Sequence, residues 1–598
     1  MVKDGSAIRD FRSAAQGFTV CAIAVVLLYL MSGMTAVNMR EIHLAVLMTA
    51  LTSACVFYVA SCFTEGPKKY LSLISAVPAF AVYYLVFMLS FNACGRKTLP
   101  CLSIMESVLF WAGLGTVAIS VIVLFIGHKL TSRDAVSAVL CAGFIARGVM
   151  VLFTPLNFNQ HDVSNFSPDQ AGFHDSYIMY IYNNFTIPSG DVRDYGQFYH
   201  PPLHYFVSAM FLRLQTMSPL KFAKDINGLK MLPMLWTSFL VLFAKKILEY
   251  FRLKGKALAF ALMLIVFCPQ MIFLSIQVNN DALALMLFVA AIFTALKWYG
   301  KPELTTILFL ALAIGCAMMT KLSMGFAAFP VAWLFLAKLI KTVKAKKETR
   351  GRKPELSPNE LIKQFVAFGL VVFPLGLWFP LKNLIGYGVP VTYVYEIDSS
   401  ANQDVWMYSL IKRLFVPSKE LIKTPFLQEG GTLNDYNIFL GILKTGLFDE
   451  RKFDSPYLTG TGRLLMAITF ILVIAIVISA VAGAILRFKN SGKKLFDNPE
   501  NISLWILSGV LILSEILFCF KHPVVCTEAF RYIAPVLVPA AFWSGDVIMK
   551  AEGKDASKGI KALSVCLEGL TVLFVLSVIL FYGPFAQFTP PWEILIRG

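Results

Sequence analysis

Long apolar blocks alternate with short basic loops through most of this chain, and two stretches of mixed polar and aromatic residues interrupt them. The apolar blocks fall at residues 18–34, 44–63, 71–91, 104–126, 136–153, 229–243, 257–274, 282–296, 304–319, 324–337, 365–381, 464–486, 502–520, 533–548 and 563–582. Each is near the ~20 residues a helix needs to cross a bilayer. Backbone polar groups in lipid must be satisfied within the segment, so blocks of this kind read as helices. The pattern therefore predicts an all-α polytopic membrane protein of about 13–15 transmembrane helices. The two interruptions, 157–202 and 383–461, are too long for simple span connections.

Basic residues set the orientation. With the N-terminus in the cytoplasm, one side collects Lys68 and Lys69, Lys129 and Arg133, Lys245 to Lys256, the run 341–353, and Arg487 to Lys494. That asymmetry is the positive-inside pattern, with Arg96 and Lys97 as the modest exception. Both long polar regions then face the extracytoplasmic side. The segment 203–217 is apolar but short and carries His204 and Arg213. Crossing there would invert every later loop, so it reads as a juxtamembrane or re-entrant helix or one arm of a hairpin.

Composition agrees with this pattern: 57% of the 598 residues are hydrophobic and 15% charged. Soluble domains are nearer a quarter charged. The net charge of +17 is accounted for by cytoplasmic loops and anionic membrane lipids. No basic stretch looks like a nucleic-acid reading module. Most cysteines lie inside apolar blocks and read as packing residues, while Cys94 and Cys101 share one external loop and can pair. No cleavable signal peptide is evident at 18–34.

Candidate chemistry concentrates in the first polar region. Between Asn159 and Leu214, the carboxylates Asp162, Asp169, Asp175, Asp191 and Asp194 interleave with His161, His174, His200 and His204 and with tyrosines. An amphipathic pattern at Tyr177, Ile178, Ile181 and Tyr182 suggests a helix lying on the membrane surface. Asp162, just past a span, is placed to take a proton from a hydroxyl, or serves as a turn or cap before a helix near His174. His200, before Pro201 and Pro202, lines a pocket or caps the corner. Asp281 either caps its helix or pairs with a cation. Lys382 and Arg531, with Lys321 beside them in the pattern, stand at outer span ends, where they hold a phosphate or merely snorkel. No tight ligand spacing for a metal appears, although a divalent cation is compatible with the His and Asp residues. Neither a phosphate-binding P-loop nor a dinucleotide-binding glycine fingerprint occurs.

Four ordered pieces carry a resemblance. They are QHDV at 160–163 followed by FHDSYIMYI and FYHPPLHY, then CPQMIFLSIQVNNDAL at 268–283, then MTKLS at 319–323 with WFPLKNLIGYGVP at 378–390, and VCTEAFRYIAP at 525–535. Together they resemble the GT-C superfamily of membrane glycosyltransferases, near glycosyltransferase family 39, the protein O-mannosyltransferases and the aminoarabinose lipid A transferases. The resemblance implies a GT-C-like helical bundle whose extracytoplasmic loops carry amphipathic juxtamembrane helices. It implies a polyprenyl-phosphate sugar donor, an acceptor that is an extracytoplasmic glycan, lipid or protein, a bacterial plasma membrane, and no required cofactor. Asp162 is then the base. Many members place the acid in a DExxY-like motif, whose tyrosine here is Tyr177, and that alignment points to Asp175 or His174 instead. The expected organisation is N-terminal spans at 1–155, a catalytic loop at 156–228, a transmembrane core at 229–382, a second external loop at 383–461 and C-terminal spans at 462–598. In the family the loop follows the first span, whereas here it follows the fifth. A secondary transporter or flippase is the rival reading, for which Arg147, Glu515 and Asp546 are the candidate intramembrane charges.

Overall fold

The computed structural model describes residues 130–153, 160–163, 172–217, 229–348, 357–395, 402–430, 433–453, 455–490 and 498–583, with scattered positions between 114 and 128. The expected first four spans, Cys94 and Cys101 lie outside the described residues. Among those residues the structure is helical without a β-strand, which makes the chain an all-α polytopic membrane protein.

Six described helices are long and apolar enough to cross a membrane: Asp281–Gly300, Leu322–Ala345, Pro358–Tyr387, Pro456–Arg487, Pro499–Lys521 and Lys558–Tyr582. A further pair, Val525–Tyr532 with Ala534–Ala551, forms a broken span bent by 44°. In chain order the helices are α1 (Ser132–Phe153), α2 (His174–Asn184), α3 (Leu203–Met217), α4 (Met231–Tyr250), α5 (Gly255–Val266), α6 (Pro269–Phe273), α7 (Asp281–Gly300), α8 (Leu304–Thr320) and α9 (Ala328–Glu348). They continue as α10 (Pro358–Tyr387), α11 (Leu410–Phe415), α12 (Lys419–Lys423), α13 (Ile438–Phe448), α14 (Pro456–Asn490), α15 (Pro499–Lys521), α16 (Leu537–Ala551) and α17 (Lys558–Tyr582).

Two packed groups form the bundle. Helix α7 lies against α4, α8 and α9, and α8 against α10. Helices α1, α5, α14, α16 and α17 form the second group, and α16 reaches across to α4. Inside the first group the buried Trp298 Nε1 donates to Gln364 Oε1 at 2.8 Å. Helix α10 begins where Ser357 Oγ accepts from Glu360 N (3.2 Å) and the Glu360 carboxylate accepts from Ser357 N (2.9 Å). This reciprocal cap satisfies two otherwise orphaned donors.

Among the described residues the expected blocks from 136–153 onward overlap helices, with interruptions in the blocks 257–274 and 533–548, while 203–217 forms a short helix as expected. The apolar block 257–274 is not one helix: it stops at Val266 and resumes as the short α6. Pro269 explains the break, since it lacks the N–H that a continuing helix needs. Helix α3 has 15 residues, or about 22 Å at 1.5 Å per residue, short of the ~30 Å hydrocarbon core. It packs against α2. The charges weighed as intramembrane candidates have structural surroundings: Asp546 pairs with Arg487 at 2.6 Å and Lys550 at 2.8 Å. Arg147 and Glu515 are buried.

Candidate active site

The site begins where the chain leaves α6. Residues 275–280 are not helical, so their backbone groups need outside partners. Gln160 supplies two: its Nε2 donates to Ile276 O and its Oε1 accepts from Val278 N, both at 2.7 Å. This fixes the following pair, His161 and Asp162. Asp162 sits in the left-handed region at φ +51°, an uncommon conformation in which Asn and Asp are enriched. Its carbonyl accepts from His174 N at 2.8 Å and so receives the first turn of α2. The cap expected of Asp162 therefore comes from its backbone, and its carboxylate stays accessible. Protein nevertheless surrounds that carboxylate, so it opens into a recess. Burial pushes it above the usual carboxylate range, against the pull of Arg531 and His161 and with reinforcement from Glu450 and Asp281.

Helix α7 starts at Asp281, which pairs with a cation: Lys321 bonds its Oδ1, and Arg531 Nε lies 3.5 Å from its Oδ2. Arg531, on the broken span, donates from Nη1 to Glu450 Oε1 at 3.0 Å and from Nη2 to the Tyr532 hydroxyl at 3.3 Å. Lys321 Nζ sits 4.5 Å from the centre of the Tyr532 ring. Buried Glu515 on α15 faces both cations. Asp281, Lys321 and Arg531 come from three separate elements and form one charge cluster beside Asp162.

The second polar region contributes the rest. It is tied to the bundle where Val405 N donates to Pro523 O (2.9 Å) and Val525 N to Gln403 O (3.1 Å). Asn437 caps α13 by accepting from Leu440 N at 3.0 Å. The helix is held from below by the buried pair Lys444–Asp435, with Nζ 2.8 and 2.9 Å from the two carboxylate oxygens. At its far end, Asp449 and Glu450 grip His161: Nε2 lies 2.9 Å from Asp449 Oδ1 and Nδ1 lies 3.0 Å from Glu450 Oε2. Asp449 Oδ2 also accepts from Gln277 Nε2 at 2.8 Å. Burial and Arg531 oppose a charge on His161, but the two carboxylates prevail and raise its pKa to about 10. Burial likewise opposes ionisation of Glu450, yet His161 and Arg531 hold it down to about 2.

The other sequence candidates gather in an aromatic layer. His174 Nδ1 lies 2.6 Å from the Tyr205 hydroxyl, and its ring stacks on His200 at 5.5 Å. Tyr177 is fully buried and stacks on Phe198 (4.3 Å) and Tyr205 (4.2 Å). Asp175 is fully buried at the start of α2, away from solvent. Burial drives His174 and His200 well below the ordinary histidine range. The loop carrying this layer is closed where Gly172 and Gly196 pair, with Gln197 N donating to Gly172 O at 3.1 Å. A Cβ at Gly196 would lie 2.5 Å from both Gly172 Cα and O, so only glycine permits the approach.

Lys382 lies on α10, where its Nζ reaches Pro188 O at 3.4 Å, so it supports the loop around Pro188 and not the Arg531 cluster. Sequence reasoning missed Asp449, Glu450 and Gln277. It named Lys321 only as a lesser partner of Arg531. Among the described residues, no three His, Cys, Asp or Glu side chains converge with metal-holding geometry. Neither a protein-family model nor a curated protein matches the chain.

Proposed function

We propose that this protein is a membrane glycosyltransferase that moves a sugar from a polyprenyl-phosphate donor to an extracytoplasmic hydroxyl. The observation that carries the reading is the accessible Asp162 carboxylate set in a recess beside the paired cations Lys321 and Arg531. A carboxylate whose pKa is raised by burial is a better proton acceptor for an alcohol than an ordinary one. In the reaction, Asp162 takes the proton of the acceptor hydroxyl while its oxygen bonds to the anomeric carbon. The bond from that carbon to the phosphate oxygen breaks, and the electron pair leaves with the polyprenyl phosphate. A single displacement of this kind inverts the anomeric centre. Arg531 and Lys321 are the groups suited to stabilise the developing phosphate charge. Lys382, assigned that role on sequence grounds, is replaced in it by Lys321. The acceptor is a glycan, lipid or protein, and the donor tail lies among the spans facing the outer leaflet.

Transfer of radiolabelled sugar from a polyprenyl-phosphate donor in isolated membranes tests the reading. Wild type is expected to transfer and Asp162→Asn to fall by at least two orders of magnitude. Asp175→Asn, a buried substitution, should reduce protein yield more than specific activity. Full transfer by Asp162→Asn removes the base assignment. Buried Glu515, facing the same cations from within a span, favours the second reading, an ion-coupled transporter or flippase. Substrate uptake without any transfer would select it.

A further inference from the structure

Both ring nitrogens of His161 face carboxylate oxygens, 2.9 Å from Asp449 and 3.0 Å from Glu450. An ionised carboxylate only accepts hydrogen bonds, so both nitrogens donate and the ring is an imidazolium. A ring committed in this way has no free lone pair and is not itself the base. What it provides is a fixed positive charge one residue from Asp162. The two acids sit at the C-terminal end of α13, where the helix dipole disfavours negative charge. They are retained there by bonds from three other elements: Gln277 on Asp449, Arg531 on Glu450, and His161 on both.

We propose that Asp449 and Glu450 are positioning residues for the transfer reaction, clamping His161 so that its charge and backbone hold the Asp162 carboxylate ionised and aimed into the recess. This rests on the glycosyl-transfer reading with Asp162 as base. The charged or titratable groups facing Asp162 are His161 from its own loop, Arg531 and Cys526 from the broken span, Glu450 from the end of α13, Asp281 from the start of α7, Tyr199, and Tyr205 from α3. Around the clamp itself stand Arg451 and Tyr582 beside Asp449, and Glu429 and Cys526 beside Glu450. In Asp449→Asn/Glu450→Gln the imidazolium and the Glu450 charge go together; the imidazolium acts more strongly on Asp162, so burial and Asp281 drive the carboxyl further upward with Arg531 opposing them.

The test uses the full chain in lipid nanodiscs. Nitrogen-15 histidine NMR, with His161→Gln assigning one signal among the seven histidines, reads the ring directly. Wild-type His161 is expected to remain an imidazolium at pH 8, and to become neutral there in the double variant Asp449→Asn/Glu450→Gln. In parallel, the pH profile of sugar transfer should show the acidic limb of kcat displaced upward by about a few tenths of a unit in that variant, because the lost imidazolium outweighs the lost Glu450 charge. Its maximal kcat should fall 10- to 100-fold while KM stays within about threefold. If the double variant does not fold, Asp449→Asn alone should give the same changes in smaller measure. A neutral wild-type His161 in transfer-active protein overturns the proposal alone, as does a loss of kcat with an unmoved limb. An imidazolium in protein that transfers no sugar at all overturns the glycosyl-transfer reading, and the positioning role falls with it.

Discussion

Replacing Lys444 by methionine removes the only charged partner bonded to Asp435 among the described residues while nearly preserving volume. Both side chains are fully buried, and the ammonium makes two bonds of 2.8 and 2.9 Å to the carboxylate. What remains to Asp435 is the backbone N–H of Gln428 at 2.7 Å. Breaking a buried ion pair from one side costs about 3–5 kcal/mol, because the surviving charge stays desolvated. Burial already raises Asp435, with Lys444 and Gln428 opposing that rise, so the carboxylate left behind takes up a proton and recovers part of the loss. The expected cost is therefore about 3 kcal/mol, at the low end of the range. In Asp435→Asn/Lys444→Met the residual charge is gone and the amide oxygen still accepts from Gln428, so about 2 kcal/mol should return as coupling energy. Equilibrium unfolding in mixed dodecyl maltoside–SDS micelles, read by tryptophan fluorescence, measures all corners of the cycle. A single variant within about 1 kcal/mol of wild type, or a double variant no more stable than the single, refutes the reasoning.

Other expectations follow from the same geometry. His161 titrates near 10 when folded against 6.5 when free, so the clamp contributes fully below pH 6.5 and its contribution is lost as pH climbs towards 10. Glu450 is depressed from 4.5 to about 2, so its share is present above pH 4.5 and lost on acidification. Unfolding midpoints measured across pH should reveal the alkaline loss, and His161→Gln should abolish it. His174 and His200 are depressed, so the unfolded chain binds more protons below pH 6.5 and stability falls with acid. His174→Phe/His200→Phe should flatten that limb in the same assay. At Gly441 a Cβ would lie 2.2 Å from Glu528 Oε2 and 2.8 Å from its Cβ. Gly441→Ala should therefore cost about 1–3 kcal/mol in the same unfolding assay. Arg531→Lys keeps the charge but loses the fork that serves Asp281, Glu450 and Tyr532 together. Transfer assays should show kcat reduced by one to two orders of magnitude.

The spans were legible because bilayer length and apolar composition act over twenty residues at a time. Helices α7, α10, α14, α15 and α17 each contain the apolar block that announced them, and the block 324–337 falls within the span Leu322–Ala345. The break at Pro269 was visible as a residue but outweighed by the apolar run around it. Asp281 and Arg531 stood out as charges at span boundaries, and the structure joins them. The clamp was not legible. The run from Phe448 to Phe453 reads as an ordinary charged loop, and nothing local distinguishes it from a solvated turn. Its meaning lies in a partner 288 residues away, a pairing that periodicity and spacing do not encode. Lys382 misled for the same reason: a cation at a span end does not reveal which neighbour the bundle brings to it.

The Arg531 cluster draws on residues from 161 to 531, and that sets a schedule for biosynthesis. When α7 and α8 enter the membrane, Asp281 has Lys321 as its early companion only 40 residues later. Glu450 must wait a further 81 residues for Arg531. A nascent chain halted before the broken span at Val525 thus holds Asp281, Lys321 and Glu450 without the Arg531 that joins the two acids. The cluster is completed only when the broken span has been made, so a product truncated before it would insert with Asp281 and Glu450 unjoined.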